Sequence, residues 1–474
     1  MVFSSIVFLL YFLPLFFTVY FLSPKKWRNI IIVLGSIFFY SWGAPKFIFV
    51  ILFTTLLDFF IVRKMDSSDS IKVRKCLLIG SVGVNLGLLF YFKYSNFFIE
   101  NLQSVLALWG YERTEWVKLA LPIGISFYTF ETITYVVDVY RRVHKPLTVF
   151  TDYLLYIIFF PKLVAGPIVR YHDMADQIND REKHETNENR LLGFYRFIIG
   201  LAKKVLIANH MGFVADQIFA LPHEDWTTPT AWIGILAYTF QIYFDFSGYS
   251  DMALGLARMM GFRLPENFDN PYIARSVTEF WRRWHISLGN WMRNYLYIPL
   301  GGNRVDSKIR LYFNLWLVFL LSGFWHGASW NFLFWGAYHG FFLVIERMFL
   351  GKYLERIPNV CSVLYNFIVI AIGWVFFRIE SFSDATYFIS RLFSWNVKDV
   401  FYLNPEYVLY FIIAGFFSFF GLMKWSQRFQ KKVLTESYSS LGYITATMLA
   451  MIFLALCVAS IASLGYNSFI YFRF

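Results

Sequence analysis

An all-α polytopic membrane protein is the fold class this sequence predicts, and three observations carry it. The mean hydropathy is +0.50, with 58% hydrophobic and only 16% charged residues. Apolar runs close to the roughly 20 residues needed to cross hydrocarbon recur along the whole chain, separated by short links rich in Lys and Arg. Aromatic residues make up 22% of the total, as lipid-facing surfaces and interfacial belts require. Helices follow rather than strands, because a spanning backbone must satisfy its own hydrogen bonds and the short alternating segments of a membrane barrel are not seen.

The first apolar stretch, Phe3 to Leu22, has no basic leader and no small-residue cleavage site, so it reads as a retained helix. Two further helices are expected at about Asn29–Ser41 and Lys46–Val62. The links Lys25–Arg28 and Arg63–Lys75 are both basic and two crossings apart, so the positive-inside rule puts both in the cytoplasm and the N-terminus outside. A fourth helix, about Cys76–Phe97, leads to an outer loop near Tyr111–Glu115, and a fifth, about Val117–Tyr140, returns to the basic link Arg141–Pro146. Tyr153–Val169 contains Pro161, Gly166 and Pro167 and has cytoplasmic flanks, which predicts a re-entrant hairpin whose broken backbone is satisfied by protein or a cavity. Later crossings are expected near Leu191–Ile218, Ala231–Met259, Leu311–Phe324, Asn331–Phe349, Cys361–Phe377, Tyr407–Lys424 and Gly442–Gly465. With no repeat, low-complexity tract or soluble segment, residues 1–474 read as one membrane domain.

Composition excludes several functions. The net charge of +12 is explained by basic cytoplasmic links, so no nucleic-acid partner is implied. Cys76, Cys361 and Cys457 sit in or beside apolar runs with the spacing of neither a disulfide framework nor a metal site. No Ser-His-Asp order, nucleotide-binding loop or zinc pattern is present.

His326 stands out among the eight histidines. It follows the apolar run Leu315–Phe324, with Gly323, Gly327, Ala328 and Ser329 around it. Small neighbours admit close helix packing or a substrate chain. Burial favours the neutral imidazole, the state a general base needs to accept a proton from an alcohol. An interhelical hydrogen bond is the plainer alternative, but ionisable groups inside a membrane are costly and commonly functional. His144, His172, His184, His210 and His223 lie in or next to polar links and read as solvated, and His339 as a packing residue.

His285 lies in a cationic, Trp-studded stretch, Phe280 to Tyr295. On a helix, Trp281, Trp284, Leu288, Trp291, Met292 and Tyr295 share one side, and Arg275, Glu279, Arg282, Arg283, Asn290 and Arg293 crowd the other. That pattern suits an amphipathic helix at the cytoplasmic interface, either as a headgroup anchor or as a receiver of anionic donor phosphates through Arg282, Arg283, Arg293 and Arg304. Asp245 and Asp251 lie in or near a crossing and are expected to pair with arginines downstream. Lys203 and Lys204 inside a crossing are expected to snorkel or to mark an interfacial segment.

Four stretches, Leu121–Phe130, Gln241–Gly255, Pro265–Arg304 and Phe324-Trp325-His326-Gly327, together with Trp374–Arg378, resemble the membrane-bound O-acyltransferase (MBOAT) family, and within it the AlgI-like branch of polysaccharide O-acetyltransferases. The resemblance implies a ring of tilted transmembrane helices with re-entrant segments around a central tunnel, in the cell membrane. It places the family's catalytic histidine at His326 and its second motif histidine at His285. It further implies transfer of an acetyl group from a cytoplasmic thioester, acetyl-CoA, to an extracytoplasmic hydroxyl of an exported or cell-wall polysaccharide, directly or through a lipase-like (SGNH) partner protein. Asn290, Asn294, Trp325 and Ser322 are then candidates to hold the donor or the developing oxyanion, and no metal is called for. D-alanyl or longer-acyl transfer is the alternative on the same fold. A lipid-linked glycan transporter is the alternative from another class, and it would have no need of His326.

Overall fold

The computed structural model describes residues 1–112, 115–397, 401–467 and 470, so the expected outer loop near Tyr111–Glu115 falls partly outside them. Helices dominate, and the described residues form no β-ladder beyond an isolated antiparallel bridge between Phe268 and Trp284. Four helical stretches, Ile71–Ala107, Asn359–Arg378, Pro405–Leu422 and Ser440–Ser463, are long and apolar enough to cross a membrane. The chain divides into two compact units, Met1–Glu185 with Gly261–Leu264, and Thr186–Met260 with Pro265–Phe474.

In the first unit, a π-helical turn leads into α1 (Leu13–Leu22), followed by α2 (Arg28–Gly43) and α3 (Ile48–Asp66) close to the expected bounds. The expected fourth crossing is longer than its apolar run: α4 (Ile71–Leu89) continues through a π turn into α5 (Ser95–Ala107). The expected fifth is shorter, because Pro122 and a left-handed Gly124 (φ +76°) delay α6 until Ile125–Tyr140. A Cβ at Gly124 would lie 2.5 Å from the Leu163 carbonyl oxygen, so only glycine permits this approach.

The stretch expected to break does break. α7 (Phe150–Ile158) and α8 (Phe160–Leu163) flank a non-helical Phe159, and every residue from Tyr153 to Val169 is buried. Several of its polar groups are satisfied by protein. The Ser36 hydroxyl accepts from Phe160 N (3.1 Å), the Tyr156 hydroxyl donates to Val169 O (2.7 Å), and Lys162 forms a fully buried ion pair with Glu131 of α6. α9 (Tyr171–Asn179) closes the unit.

The second unit is built on a long buried helix. α10 (Asn187–Ala202) passes through a π turn at Lys203–Ala208 into α11 (Asn209–Phe219), and both pack on α12 (Thr228–Met259), buried at every residue from Ala237 to Ala257. α10 and α12 meet backbone to backbone at two glycine pairs. A Cβ on Gly200 would lie 2.5 Å from Gly248 O, and one on Gly255 would lie 2.5 Å from Gly193 O. Small residues at such a seam let helices approach to contact.

That proximity settles the lysines and aspartates. Lys204 is 1% exposed and pairs with Asp245 at 2.7 Å; Lys203 pairs with Asp251 at 2.6 Å; Arg196 reaches Asp251 at 2.8 Å. The lysine head groups are held by carboxylates of α12, and the partners of Asp245 and Asp251 lie upstream, Arg196 on α10 and Lys203 and Lys204 in the π turn after it, not among the downstream arginines. His210 also departs from expectation: it is buried in α11 and stacks on Tyr410 with centroids 3.8 Å apart.

The remaining helices are α13 (Val277–Arg283), α14 (Ile286–Trp291), α15 (Lys308–His326), α16 (Trp330–Ile345), α17 (Gly351–Leu354), α18 (Asn359–Arg378), α19 (Phe382–Leu392), α20 (Pro405–Phe419), α21 (Lys424–Thr435) and α22 (Ser440–Leu464). The single amphipathic helix expected across Phe280–Tyr295 is absent. It is broken at Trp284–His285, and its tryptophans Trp284 and Trp291 are buried in protein rather than laid on lipid. Helix α15 is longer than the expected Leu311–Phe324 at both ends, and His326 is its last residue.

Candidate active site

Ser276 begins the site's local order. Its hydroxyl accepts from Glu279 N (3.0 Å), and the Glu279 carboxylate returns to Arg275 N (2.9 Å), so the stretch Ser-x-x-Glu caps α13. The two remaining free N–H groups of the first turn, Val277 N (2.7 Å) and Thr278 N (2.9 Å), donate to the carboxylate of Glu346, which also accepts from the Thr278 hydroxyl at 2.7 Å. Glu346 directly follows α16 and is buried. A carboxylate is favoured at a helix N-terminus, where N–H groups and the positive end of the helix dipole converge.

Helix α13 ends so that His285 takes φ +47° and is 2% exposed. A left-handed conformation costs a non-glycine residue roughly 1–2 kcal/mol, so surrounding contacts must hold it. They do. Ile286 N donates to Asn267 O (3.0 Å), Asp269 N to Arg283 O (2.9 Å), and the Phe268–Trp284 bridge lies between. The imidazole stands edge-on to Phe246 of α12, centroids 4.7 Å apart, and its Nδ1 lies 3.2 Å from the Asn267 amide oxygen. Burial pushes the His285 imidazole down to about 3, so it is neutral at physiological pH.

His326 is brought to the same place by the α15–α16 hairpin. A Cβ on Gly323 would lie 2.2 Å from Phe332 O, and one on Gly336 would lie 2.4 Å from Phe319 O, so the two helices touch through backbone. Ser329 caps α16 after the sharp connection at Gly327. His326 is 5% exposed, with Trp325, Trp335 and Phe377 rings at 5.0, 5.2 and 5.4 Å. The Trp325 ring in turn lies 6.4 Å from His285. The two histidines, 41 positions apart in the numbering, thus flank one buried indole.

The other expected residues divide. Trp325 and Ser322 are buried with His326. Arg282, Asn290, Arg293 and Arg304 are exposed, and Asn294 is half-buried. Arg282, Arg293 and Arg304 have no carboxylate partner among the described residues, whereas Arg283 is held by Glu279 (3.0 Å) and Asp269 (3.2 Å). Among the described residues, no three His, Cys, Asp or Glu side chains gather as metal ligands would. His339 is fully buried between Trp281 and Trp335, with centroids at 4.9 and 5.0 Å, and faces Gly373 of α18.

Three contributors were missed from the sequence: Asn267, Ser287 and Glu346. Asn267 and Ser287 lie inside the Pro265–Arg304 stretch, but nothing in periodicity singles them out. A carboxylate at the end of an apolar helix was the one available signal for Glu346.

Membrane-length helices define a polytopic membrane protein, and two buried imidazoles flank one indole within it. A family model described as "MBOAT, membrane-bound O-acyltransferase family" matches residues 6–382. The chain belongs to that family and is an O-acyltransferase. It is similar to the probable alginate O-acetylase AlgI of Pseudomonas putida, at 42% identity over the full length of both chains. It is similar to the peptidoglycan O-acetyltransferase of Helicobacter pylori at 36% identity, over 86% of this chain and 82% of that one. Similarity to the teichoic acid D-alanyltransferase of Streptococcus thermophilus is 31%, over 48% of this chain and 58% of that one.

Proposed function

We propose that the enzyme passes an acetyl group from cytoplasmic acetyl-CoA to an extracytoplasmic hydroxyl on an exported or cell-wall polysaccharide, directly or through an SGNH-type partner protein. The observation that carries this reading is His326, a buried imidazole at the C-terminal end of α15 that shares Trp325 with His285. Acetyl transfer is favoured over D-alanyl transfer because the acetylase and O-acetyltransferase relatives align over 84% or more of the chain and the D-alanyltransferases over about half.

In this reading the donor's phosphates meet Arg282, Arg293 and Arg304, whose forked guanidinium groups match phosphate oxygens. Arg283, engaged by two carboxylates, holds the segment instead. His326 takes the proton of the acceptor hydroxyl as the oxygen attacks the thioester carbonyl. The carbon–sulfur bond breaks, and the departing thiolate takes that proton back from the imidazolium, so charge and atoms balance. A helix C-terminus favours a positive charge, which suits the imidazolium formed along the way.

The test is radiolabelled acetyl-CoA supplied to inside-out vesicles, with label followed into the lumen. His326→Ala, folded and inserted, should lower the rate by about a hundred- to ten-thousand-fold, the usual worth of a general base. A parent-like rate would remove His326 from the chemistry. Mass spectrometry of the modified acceptor separates acetyl from D-alanyl or longer acyl groups.

A further inference from the structure

The side-chain oxygen of Asn267 accepts hydrogen bonds from Ser287 N (3.2 Å) and the Ser287 hydroxyl (2.8 Å), and it lies 3.2 Å from His285 Nδ1. A backbone N–H can only donate, so the atom facing Ser287 N is the amide oxygen and not the amide nitrogen. An oxygen that only accepts then requires the hydrogen of His285 to sit on Nδ1. A neutral imidazole carries a single ring hydrogen, so Nε2 keeps its lone pair. That Nε2 is buried and has no hydrogen-bond partner among the described residues. Buried polar atoms are nearly always paired, so a bare one beside the candidate site is an opening for a ligand atom.

Asn267 is itself held in place. It is 1% exposed and lies on the segment that pairs with Arg283–Ile286. The adjoining Glu266 receives both terminal nitrogens of Arg196, and Arg196 is braced by Asp251 on α12. A line of contacts therefore runs from the α10–α12 seam to the imidazole of His285. We propose that Asn267 is a positioning residue that selects the Nδ1–H tautomer of His285, so that Nε2 is presented as a bare acceptor to an O–H or N–H group of the bound substrates. The proposal rests on the acyl-transfer reading and gives His285 a task distinct from that of His326: in the resting enzyme it accepts a hydrogen bond and has no Nε2 proton to donate. The substrate group is either the acceptor's hydroxyl or an amide N–H of the donor's pantetheine arm.

The experiment combines nuclear magnetic resonance with kinetics. Protein labelled with carbon-13 and nitrogen-15 histidine is placed in lipid nanodiscs, and the His285 signals are assigned by their loss in His285→Gln. At neutral pH the native enzyme should show a protonated Nδ1 and an unprotonated Nε2. Asn267→Leu, close in size but without an acceptor, should lose that signature and lower kcat/KM at least about tenfold, since a triad histidine held in the wrong tautomer loses far more. Asn267→Asp, which offers the same oxygen, should keep the signature and recover most of the loss. A rise in KM for acetyl-CoA in Asn267→Leu points to the pantetheine amide, and a rise for the acceptor points to the hydroxyl. A native His285 protonated at Nε2 overturns the proposal, as does a folded Asn267→Leu with parent tautomer and parent kinetics. Should Asn267→Leu fail to fold, the native tautomer and the Asn267→Asp kinetics still decide. If instead the tautomer is as stated but the native enzyme moves no label from acetyl-CoA to an acceptor in the vesicle assay, the acyl-transfer reading fails and the assignment of the His285 tautomer to Asn267 stands.

Discussion

Arg282 and Arg283 are neighbours with the same chemistry, and the structure gives them different work. Arg283 is tied by Asp269 and Glu279, while Arg282 is exposed without a carboxylate partner among the described residues. If exposed arginines receive donor phosphates, Arg282→Gln, Arg293→Gln and Arg304→Gln should each raise KM for acetyl-CoA by about tenfold with kcat little changed. That is the effect of losing one charged hydrogen bond from substrate and transition state alike. Arg283→Gln should instead lower thermal stability and leave that KM near the parent value. Steady-state kinetics in vesicles and a thermal melt in detergent read the two effects apart. His326 and the arginines could be picked out as candidates from residue type and neighbourhood, whereas the burial of His285 could not. A charge-rich, tryptophan-rich stretch has the same local pattern whether it lies on lipid or folds into protein.

At the scale of single elements, α13 is the informative case. Seven residues are too few to hold a helix in isolation, so its stability must come from caps and packing. Ser276 and Glu279 supply one cap from within the segment, and Glu346 supplies another from 68 residues away. The same α16 that precedes Glu346 places Trp335 against His326, so one helix sets both histidines. Glu346→Ala leaves the buried Val277 N–H and the part-buried Thr278 N–H without an acceptor, at roughly 1–3 kcal/mol for the buried group and less for the other. It should lower the melting temperature by several degrees and reduce kcat, with Glu346→Gln in between because its amide oxygen still accepts. Equal kcat in Glu346→Ala and parent, at a temperature where both are folded, would show that α13 needs no such anchor.

Across the whole molecule, the orientation proposed from the basic links has Lys25–Arg28, Arg63–Lys75 and Arg141–Pro146 on the cytoplasmic side and the N-terminus outside. Cysteines introduced singly at Ser68 and at Val143, on a background with Cys76, Cys361 and Cys457 replaced by serine, should react with an impermeant maleimide only after the membrane is opened. One introduced at Val2 should react on intact cells. Reversal of that pattern would invert the direction of acetyl transfer proposed above.

Membrane class and helical architecture were determined by the sequence itself, because hydrocarbon imposes length, apolarity and backbone satisfaction on each segment separately. Those are local demands, and hydropathy and residue type along the chain record them. Tertiary structure alone decided that Lys203 and Lys204 pair with Asp251 and Asp245, that the Phe280–Tyr295 stretch breaks at His285, and that Asn267 and Glu346 hold the pieces. Each of those depends on a pairing between residues 18 to 69 positions apart. Such pairings are set by where helices touch, at glycine seams such as Gly200–Gly248, and a polar side chain's own neighbours do not reveal which partner the packing will bring to it.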